Sequence, residues 1–177
     1  LTGAVHVKDG GQLVIPAGTR IESTGGTAAY VTVEQGGKIF ANGTASAPVV
    51  FTSPAATPGS WGGIVIAGKA PINKGTTASA EVGNATYGGT ATDDNSGSLT
   101  YVRIEYSGAI FTGEKEFNGL SLFGVGKGTT INNIAVLNGS DDGVEFFGGT
   151  VNVSNIISVG NEDDALDWTE GWNGTAT

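Results

Sequence analysis

Carboxylate side chains are concentrated in the last part of the chain. Eight of the 17 acidic residues lie between positions 141 and 170. They are Asp141, Asp142, Glu145, Glu162, Asp163, Asp164, Asp167 and Glu170. Cysteine is absent and there is one histidine, so the possible metal ligands are mainly side-chain oxygen atoms. Ca²⁺ takes about six to eight oxygen ligands, and we therefore predict calcium as a candidate cofactor. Its predicted ligands are Asp141, Asp142, Asp163, Asp164 and Asp167.

These acidic residues belong to a sequence repeat. One constant offset joins four pairs: Asn133 with Asn155, Ile134 with Ile156, Asp141 with Asp163, and Asp142 with Asp164. A unit of this length is too short for two packed helices, but it fits one turn, or coil, of a parallel β-helix. Neighbouring coils are about 4.8 Å apart. The repeated carboxylates are therefore expected to stack directly on one another.

Stacked carboxylates need an explanation, because they repel by about 3 kcal/mol at about 5 Å and an effective dielectric constant of about 20. A bound cation would relieve the repulsion. Alternatively, the acids lie in turns, accept hydrogen bonds from backbone amides and stay solvated. A third interpretation is an acid and base pair for a glycosidic bond, because several polysaccharide-degrading enzymes are β-helices with clustered aspartates.

The partners that catalysis requires are sparse in this sequence. A polysaccharide lyase needs a base and a group that neutralises the uronate charge. Lys115 and Lys127 are the nearest cations, and no motif positions either of them. His6 lies several coils upstream. We therefore assign no catalytic residue and expect a protein that is not an enzyme.

The elements that would position the acids are short β-strands. Segments rich in β-branched residues, such as 64–67, 120–123 and 144–147, alternate with corners rich in glycine, which makes up 31 of the 177 residues. Glycine accepts the positive φ that tight corners demand, and no segment shows helical periodicity. The sequence predicts an all-β solenoid, a single parallel β-helix with coils of about 22 residues.

The alignment of coils also predicts the core and the domain organisation. Two interior ladders are expected, Val102 with Ile134 and Ile156, and Leu120 with Val144 and Leu166, with Phe146 above Trp168. The chain is one domain, residues 1–177, of about seven or eight coils. Residues 69–97 have few apolar side chains, so we predict one loop inserted between coils there.

Charge and composition restrict the function. The net charge is −9 with eight lysines and arginines, which excludes nucleic acid as a partner because that binding needs a positive surface. The absence of cysteine and methionine is compatible with an extracellular or outer-surface location. Because the last residues stop within a coil, we expect residues 1–177 to be part of a longer chain.

Several blocks resemble a family of right-handed parallel β-helix proteins of Gram-negative bacteria, mostly uncharacterised surface lipoproteins and secreted multidomain proteins. The blocks are VKDGGQLVIPAGTRI, EQGGKIFANGTASAPVVFTS, SWGGIVIAGKAPIN, DDNSGSLTYVRIEYSG, FNGLSLFGVGKGTTINNIAVLNGSDDGVEFFGGTVN and NEDDALDWTEG. The resemblance implies the fold, its hand and a surface-exposed or secreted protein. It supplies no catalytic residues.

We expect a non-enzymatic structural or adhesion module that presents a rigid β-helical surface and is stiffened by calcium. Its partner would be an extracellular glycan or a surface protein. One alternative is a β-helix that binds or degrades polysaccharide. Another is a self-associating subunit of a filament or surface array, because strand edges at open ends of a solenoid can pair between chains.

Overall fold

The computed structural model describes all 177 residues, which form β-strands, turns and loops and no helix. The 17 strands are β1 (Val5–Val7), β2 (Gln12–Ile15), β3 (Arg20–Glu22), β4 (Val31–Val33), β5 (Lys38–Asn42), β6 (Val49–Thr52), β7 (Ile64–Ala67), β8 (Ala78–Ser79), β9 (Thr86–Tyr87), β10 (Gly97–Glu105), β11 (Ile110–Thr112), β12 (Lys115–Glu116), β13 (Leu120–Phe123), β14 (Thr130–Leu137), β15 (Val144–Phe147), β16 (Val153–Val159) and β17 (Leu166–Thr169). No helix is present that is long and apolar enough to cross a membrane.

Two parallel sheets run the length of the molecule. Sheet A has the order β1-β4-β7-β13-β15-β17, and sheet B has the order β2-β5-β10-β14-β16, with β3 and β6 joined to it through β10. The chain alternates between the two sheets, so that each strand of sheet A pairs with a strand one coil away. This arrangement is a single right-handed parallel β-helix, and it confirms the predicted fold class.

The predicted coil length of about 22 residues holds at the β15–β17 end of the solenoid, and the other coils are longer. Pairing joins Val144 with Leu166 at the predicted spacing, whereas Val5 pairs with Val31 across a longer interval. Sheet A has six strands and therefore six coils, fewer than the predicted seven or eight. Two long segments between strands account for the difference, because they use residues without adding a turn to the solenoid.

Both predicted ladders are present inside the solenoid. Strand register pairs Val102 with Ile134 and Ile156, and Leu120 with Val144 and Leu166. The prediction that Trp168 lies in the core is wrong. Trp168 does pair with Phe146, but it is 63% exposed because β17 is the outermost strand of sheet A. Trp172 covers Phe146 instead, with the ring centroids 4.1 Å apart.

A column of left-handed residues bends the strands of sheet B. Tyr101, Asn133 and Asn155 have φ values of 50°, 55° and 55°, and they occupy equivalent positions in β10, β14 and β16. The Nδ2 atoms of Asn133 and Asn155 both donate to Oδ1 of Asn132, at 3.0 and 2.7 Å. Asparagine tolerates this conformation better than most side chains, which explains its recurrence at the corner.

Two insertions cover the outer face of sheet A. The first insertion, residues 68–96, connects β7 to β10 and contains the β8–β9 hairpin. The second insertion, residues 106–119, connects β10 to β13 and contains the β11–β12 hairpin. The second insertion was not predicted from the sequence. Together with sheet A, the insertions form a separate apolar cluster, here called the outer cluster: Tyr30, Val65, Ala67, Val82, Ala85, Tyr87, Phe117, Phe123 and Phe147.

The first insertion is also tied to the last coil by polar contacts. The hydroxyl of Tyr87 donates to Oε2 of Glu170 at 2.6 Å, and Nζ of Lys74 lies 3.0 Å from Oε1 of the same carboxylate. The backbone amide of Asn73 donates to the Glu170 carbonyl at 3.0 Å. The insertion therefore spans the sheet from β7 to the segment after β17 and shields part of its outer face.

Candidate functional site

The repeated acidic residues lie in two stacked turns that lead from sheet B into sheet A. One turn precedes β15 and the other precedes β17. Each begins at a left-handed residue, Asn138 (φ 56°) in the first and Gly160 (φ 71°) in the second. Gly143 allows the turns to stack closely, because a Cβ atom there would lie 2.7 Å from the Ala165 carbonyl oxygen. The turns thus place their carboxylates on the same edge of sheet A.

Five carboxylates form the site, which we call the carboxylate cleft: Asp141, Asp142, Glu145, Asp163 and Asp167. Oxygen atoms of Asp141, Asp142 and Asp163 lie within 4.8 Å of one another. The same is true of Asp142, Glu145 and Asp167. Asp142 belongs to both groups and therefore sits at the centre of the cleft.

Asp142 is the most buried of these acids, with 7% of its surface exposed. Its Oδ1 accepts a hydrogen bond from the backbone amide of Asp164 at 2.9 Å. The pKa of Asp142 is raised to about 6, mainly by burial and also by the charges of Asp167 and Asp163, against the lowering effect of that hydrogen bond. Burial and the neighbouring charge of Asp142 likewise raise the pKa of Asp141 to about 6.

Glu145 shows the largest perturbation in the cleft. It points outward from β15, where Asp167 of β17 is its register partner. Burial raises its pKa to about 8, and the hydrogen bond from Asn118 Nδ2 to Glu145 Oε2, 2.6 Å long, opposes this rise. Glu145 is therefore largely protonated at neutral pH. It can donate a proton, and the carboxyl group of Asp167 lies beside it on the next strand.

The two insertions contribute polar groups near the cleft, because the charge of Glu81 acts on Glu145 and Asn118 donates a hydrogen bond to it. Glu81 of the first insertion has a raised pKa because it is partly buried, and Lys115 and Lys74 act in the opposite direction. Asn118 of the second insertion is 2% exposed, and its Oδ1 has no hydrogen-bond partner. The side chain of Asn118 thus donates to Glu145 through Nδ2 and keeps a free acceptor, Oδ1, beside the cleft.

The structure brings together four of the five predicted ligands. Asp141, Asp142, Asp163 and Asp167 each belong to one of the two oxygen groups, whereas the exposed Asp164 belongs to neither and contributes its backbone amide. Glu145 was missing from the predicted ligand set. The signal for it was available, because Glu145 precedes Asp167 by the same interval that separates Asp142 from Asp164.

Comparison with known proteins agrees with this architecture. No curated protein and no solved structure matches the chain. A family model described as "Pectate-lyase like beta helix domain" matches residues 1–177, the whole of the chain. The protein therefore belongs to the pectate-lyase-like β-helix domain family.

Proposed function

We propose that the protein is a rigid, non-enzymatic module of a cell-surface or secreted protein, which contacts extracellular glycan and holds Ca²⁺ in the carboxylate cleft. The observation that carries the proposal is the position of Asp142 in two carboxylate groups at once. The family match supports a β-helical module related to polysaccharide. The calcium and the surface location are our own inferences.

The electrostatics of the cleft favour a cation. Burial and mutual repulsion both raise the pKa values of Asp141, Asp142 and Glu145. A divalent ion at this point would offset the repulsion among the five carboxylates. Their oxygens, with Oδ1 of Asn118 nearby, provide the hard oxygen ligands that Ca²⁺ prefers. Binding would stabilise the two turns and with them the end of the solenoid.

Calcium titration by calorimetry at pH 8.5 is the direct test. We expect stoichiometric binding and a higher melting temperature in calcium than in chelator. Asp142→Asn is expected to weaken binding at least tenfold, because this residue serves both oxygen groups. The affinity should also fall between pH 8.5 and 6, because Ca²⁺ must displace protons from groups whose pKa values are about 6 to 8.

Asp9→Asn is the matched control, because Asp9 is an exposed aspartate in the first coil. It should bind calcium as the unmodified protein does. If Asp142→Asn binds with unchanged affinity, or if the unmodified protein produces no heat and no shift in melting temperature, the calcium proposal is wrong. The acids would then be turn residues that share protons instead of a metal ion.

A second candidate function is hydrolysis of a glycosidic bond. Glu145 is protonated at neutral pH and lies beside Asp167 on the next strand, with their oxygens within 4.8 Å. Retaining glycosidases separate their two carboxyl groups by about 5 to 5.5 Å. In this interpretation Glu145 would protonate the leaving oxygen, and Asp167 would attack the anomeric carbon to form a glycosyl intermediate that water hydrolyses.

Reducing-end release from soluble polysaccharides distinguishes the two functions. We expect the purified protein to release no more reducing ends than a heat-inactivated sample between pH 5 and 8. Release that disappears in both Glu145→Gln and Asp167→Asn would instead establish hydrolysis. Glu114→Gln, which changes an exposed glutamate of the second insertion, is the control for unspecific effects of charge.

A further inference from the structure

The largest cavity of the molecule lies on sheet B, away from the carboxylate cleft. It is an open groove of about 600 Å³ along the bend at Tyr101, Asn133 and Asn155, here called the corner groove. Its lining comes from β10, β14, β16 and the turn between β5 and β6. Because the bend recurs on three successive coils, the groove extends along the solenoid axis. Its volume falls in the usual range of ligand sites.

The lining is mainly apolar and contains no carboxylate, although the protein as a whole has a net charge of −9. Pro48, Ile156 and Ile157 supply apolar surface, and Ile157 is 59% exposed. Arg103 is the only charged residue in the lining, and its Nη2 donates to Oε1 of Glu105. The groove therefore offers no unpaired charge to an ionic ligand.

The bend requires a left-handed residue at position 101, but it does not explain why that residue is a tyrosine. Asparagine occupies the same position in the next two coils, and it suits a φ near +55°. An aromatic side chain in this conformation is strained, and such strain is often found where function requires a particular side chain. Tyr101 is 37% exposed and lines the groove. Contact with a ligand would account for an aromatic residue at this position.

Hydrogen-bonding groups accompany the ring at a regular spacing. Asn133 and Asn155 each use Nδ2 within the protein, in bonds to Asn132, while their Oδ1 atoms remain available to a ligand. Successive coils are about 4.8 Å apart. A linear neutral polysaccharide matches this arrangement. Its sugar rings present apolar faces to an aromatic ring, and the same set of hydroxyl groups repeats with each sugar.

We propose that the corner groove binds a linear neutral glycan, with the Tyr101 ring stacked on one sugar and the Asn133 and Asn155 side chains hydrogen-bonded to hydroxyl groups of its neighbours. A polyuronate lacks a counter-charge here, since Arg103 is already paired. This site is separate from the carboxylate cleft and does not depend on calcium. It would give the module a contact with glycan on a face away from the carboxylate cleft.

Calorimetry with cellohexaose, xylohexaose and mannohexaose, in the presence of chelator, tests the proposal. We expect at least one hexasaccharide to bind with a Kd in the millimolar range or tighter. Tyr101→Asn should weaken that binding at least tenfold while keeping or raising the melting temperature, because asparagine fits the left-handed conformation. Tyr101→Phe retains the aromatic face and should bind within about threefold of the unmodified protein.

Tyr106→Asn is the matched control, because Tyr106 also has a positive φ, 61°, and does not line the groove. It should leave glycan binding unchanged. The proposal is overturned if none of the three hexasaccharides binds, or if Tyr101→Asn binds as tightly as the unmodified protein. A lower melting temperature for Tyr101→Asn would also count against it, by showing that the ring serves packing. If the unmodified protein self-associates and Tyr101→Asn abolishes this, the groove binds a second copy of the chain and the proposal is also overturned.

Discussion

Replacement of Glu145 by glutamine is expected to stabilise the metal-free protein by about 2 kcal/mol at pH 9 and to leave it nearly unchanged at pH 5. The pKa of Glu145 rises from 4.5 to about 8 on folding. At about 1.4 kcal/mol per pKa unit the whole shift is worth about 5 kcal/mol, and solvent screening of a partly exposed carboxyl reduces this to about 2 kcal/mol. Glutamine removes the charge and can still accept the hydrogen bond from Asn118.

The direction of the pH dependence follows from proton binding. Between pH 4.5 and about 8 the folded state retains the Glu145 proton while the unfolded state releases it. The free energy of unfolding therefore decreases as pH rises through this interval. Asp141 and Asp142, whose pKa values are raised to about 6, add a decrease of the same sign between about pH 4 and 6.

Urea denaturation at several pH values, in the presence of chelator, measures this effect. Glu145→Gln should have a flatter dependence of unfolding free energy on pH between 6 and 9 than the unmodified protein. Glu114→Gln removes an exposed glutamate and should leave the slope unchanged. Equal slopes for the unmodified protein and Glu145→Gln would mean that Glu145 titrates normally, and the case for a protonated acid in the cleft would be lost.

The fold could be predicted because a solenoid repeats its core at a nearly constant spacing. The repeat joined Ile134 with Ile156, the alignment of coils added Val102 to this ladder, and strand register confirms both pairs. The number of coils could not be obtained this way, because the insertions have no period. The second insertion in particular was missed, since its short hairpin strands, β11 and β12, have no counterpart in the neighbouring coils.

The candidate site was predicted less completely, for a related reason. The sequence identified four of the acids in the cleft, and for three of them, Asp141, Asp142 and Asp163, the repeat determined which turns stack. It could not predict the raised pKa of Glu145, which arises mainly from burial. Part of that environment is Asn118, which lies 27 residues away in the second insertion. Contacts between an insertion and the solenoid depend on tertiary packing and leave no periodic signal in the sequence.

The corner groove also contains a residue that the sequence repeat could not reveal. Asn133 and Asn155 were joined by the repeat in the sequence. Tyr101 escaped notice because it breaks the asparagine pattern at the equivalent position in β10. Only the φ value of 50° shows that this tyrosine adopts the conformation of the asparagines and faces the same groove.

Truncation of Phe123 to alanine is expected to lower the free energy of unfolding by about 3 to 5 kcal/mol, the usual cost for a fully buried phenylalanine. Phe123 is 1% exposed and belongs to the outer cluster. Its ring stacks on Phe147 with centroids 4.0 Å apart and contacts Tyr87 at 5.0 Å. Removal of the ring leaves a cavity between sheet A and the first insertion, where Tyr87 is anchored.

The location of this cavity allows the destabilisation by Phe123→Ala to be distinguished from a general weakening of the core. Phe51 is equally buried but belongs to the solenoid interior, where its ring is stacked on Trp61. We expect Phe123→Ala to increase amide hydrogen exchange chiefly in residues 68–96, whereas Phe51→Ala should affect the coils. Val14→Ala, at a 64% exposed position, should cost less than about 0.5 kcal/mol.

The same substitution links the outer cluster to the chemistry of the cleft. If the first insertion is held over sheet A by Phe123, its release should return solvent to Glu145 and lower the pKa of that carboxyl towards 4.5. The pH dependence of unfolding between 6 and 9 should then be flatter in Phe123→Ala than in Phe51→Ala. A slope unchanged by Phe123→Ala would mean that Glu145 is desolvated by its neighbours in the cleft alone, and that the insertion has no part in tuning the site.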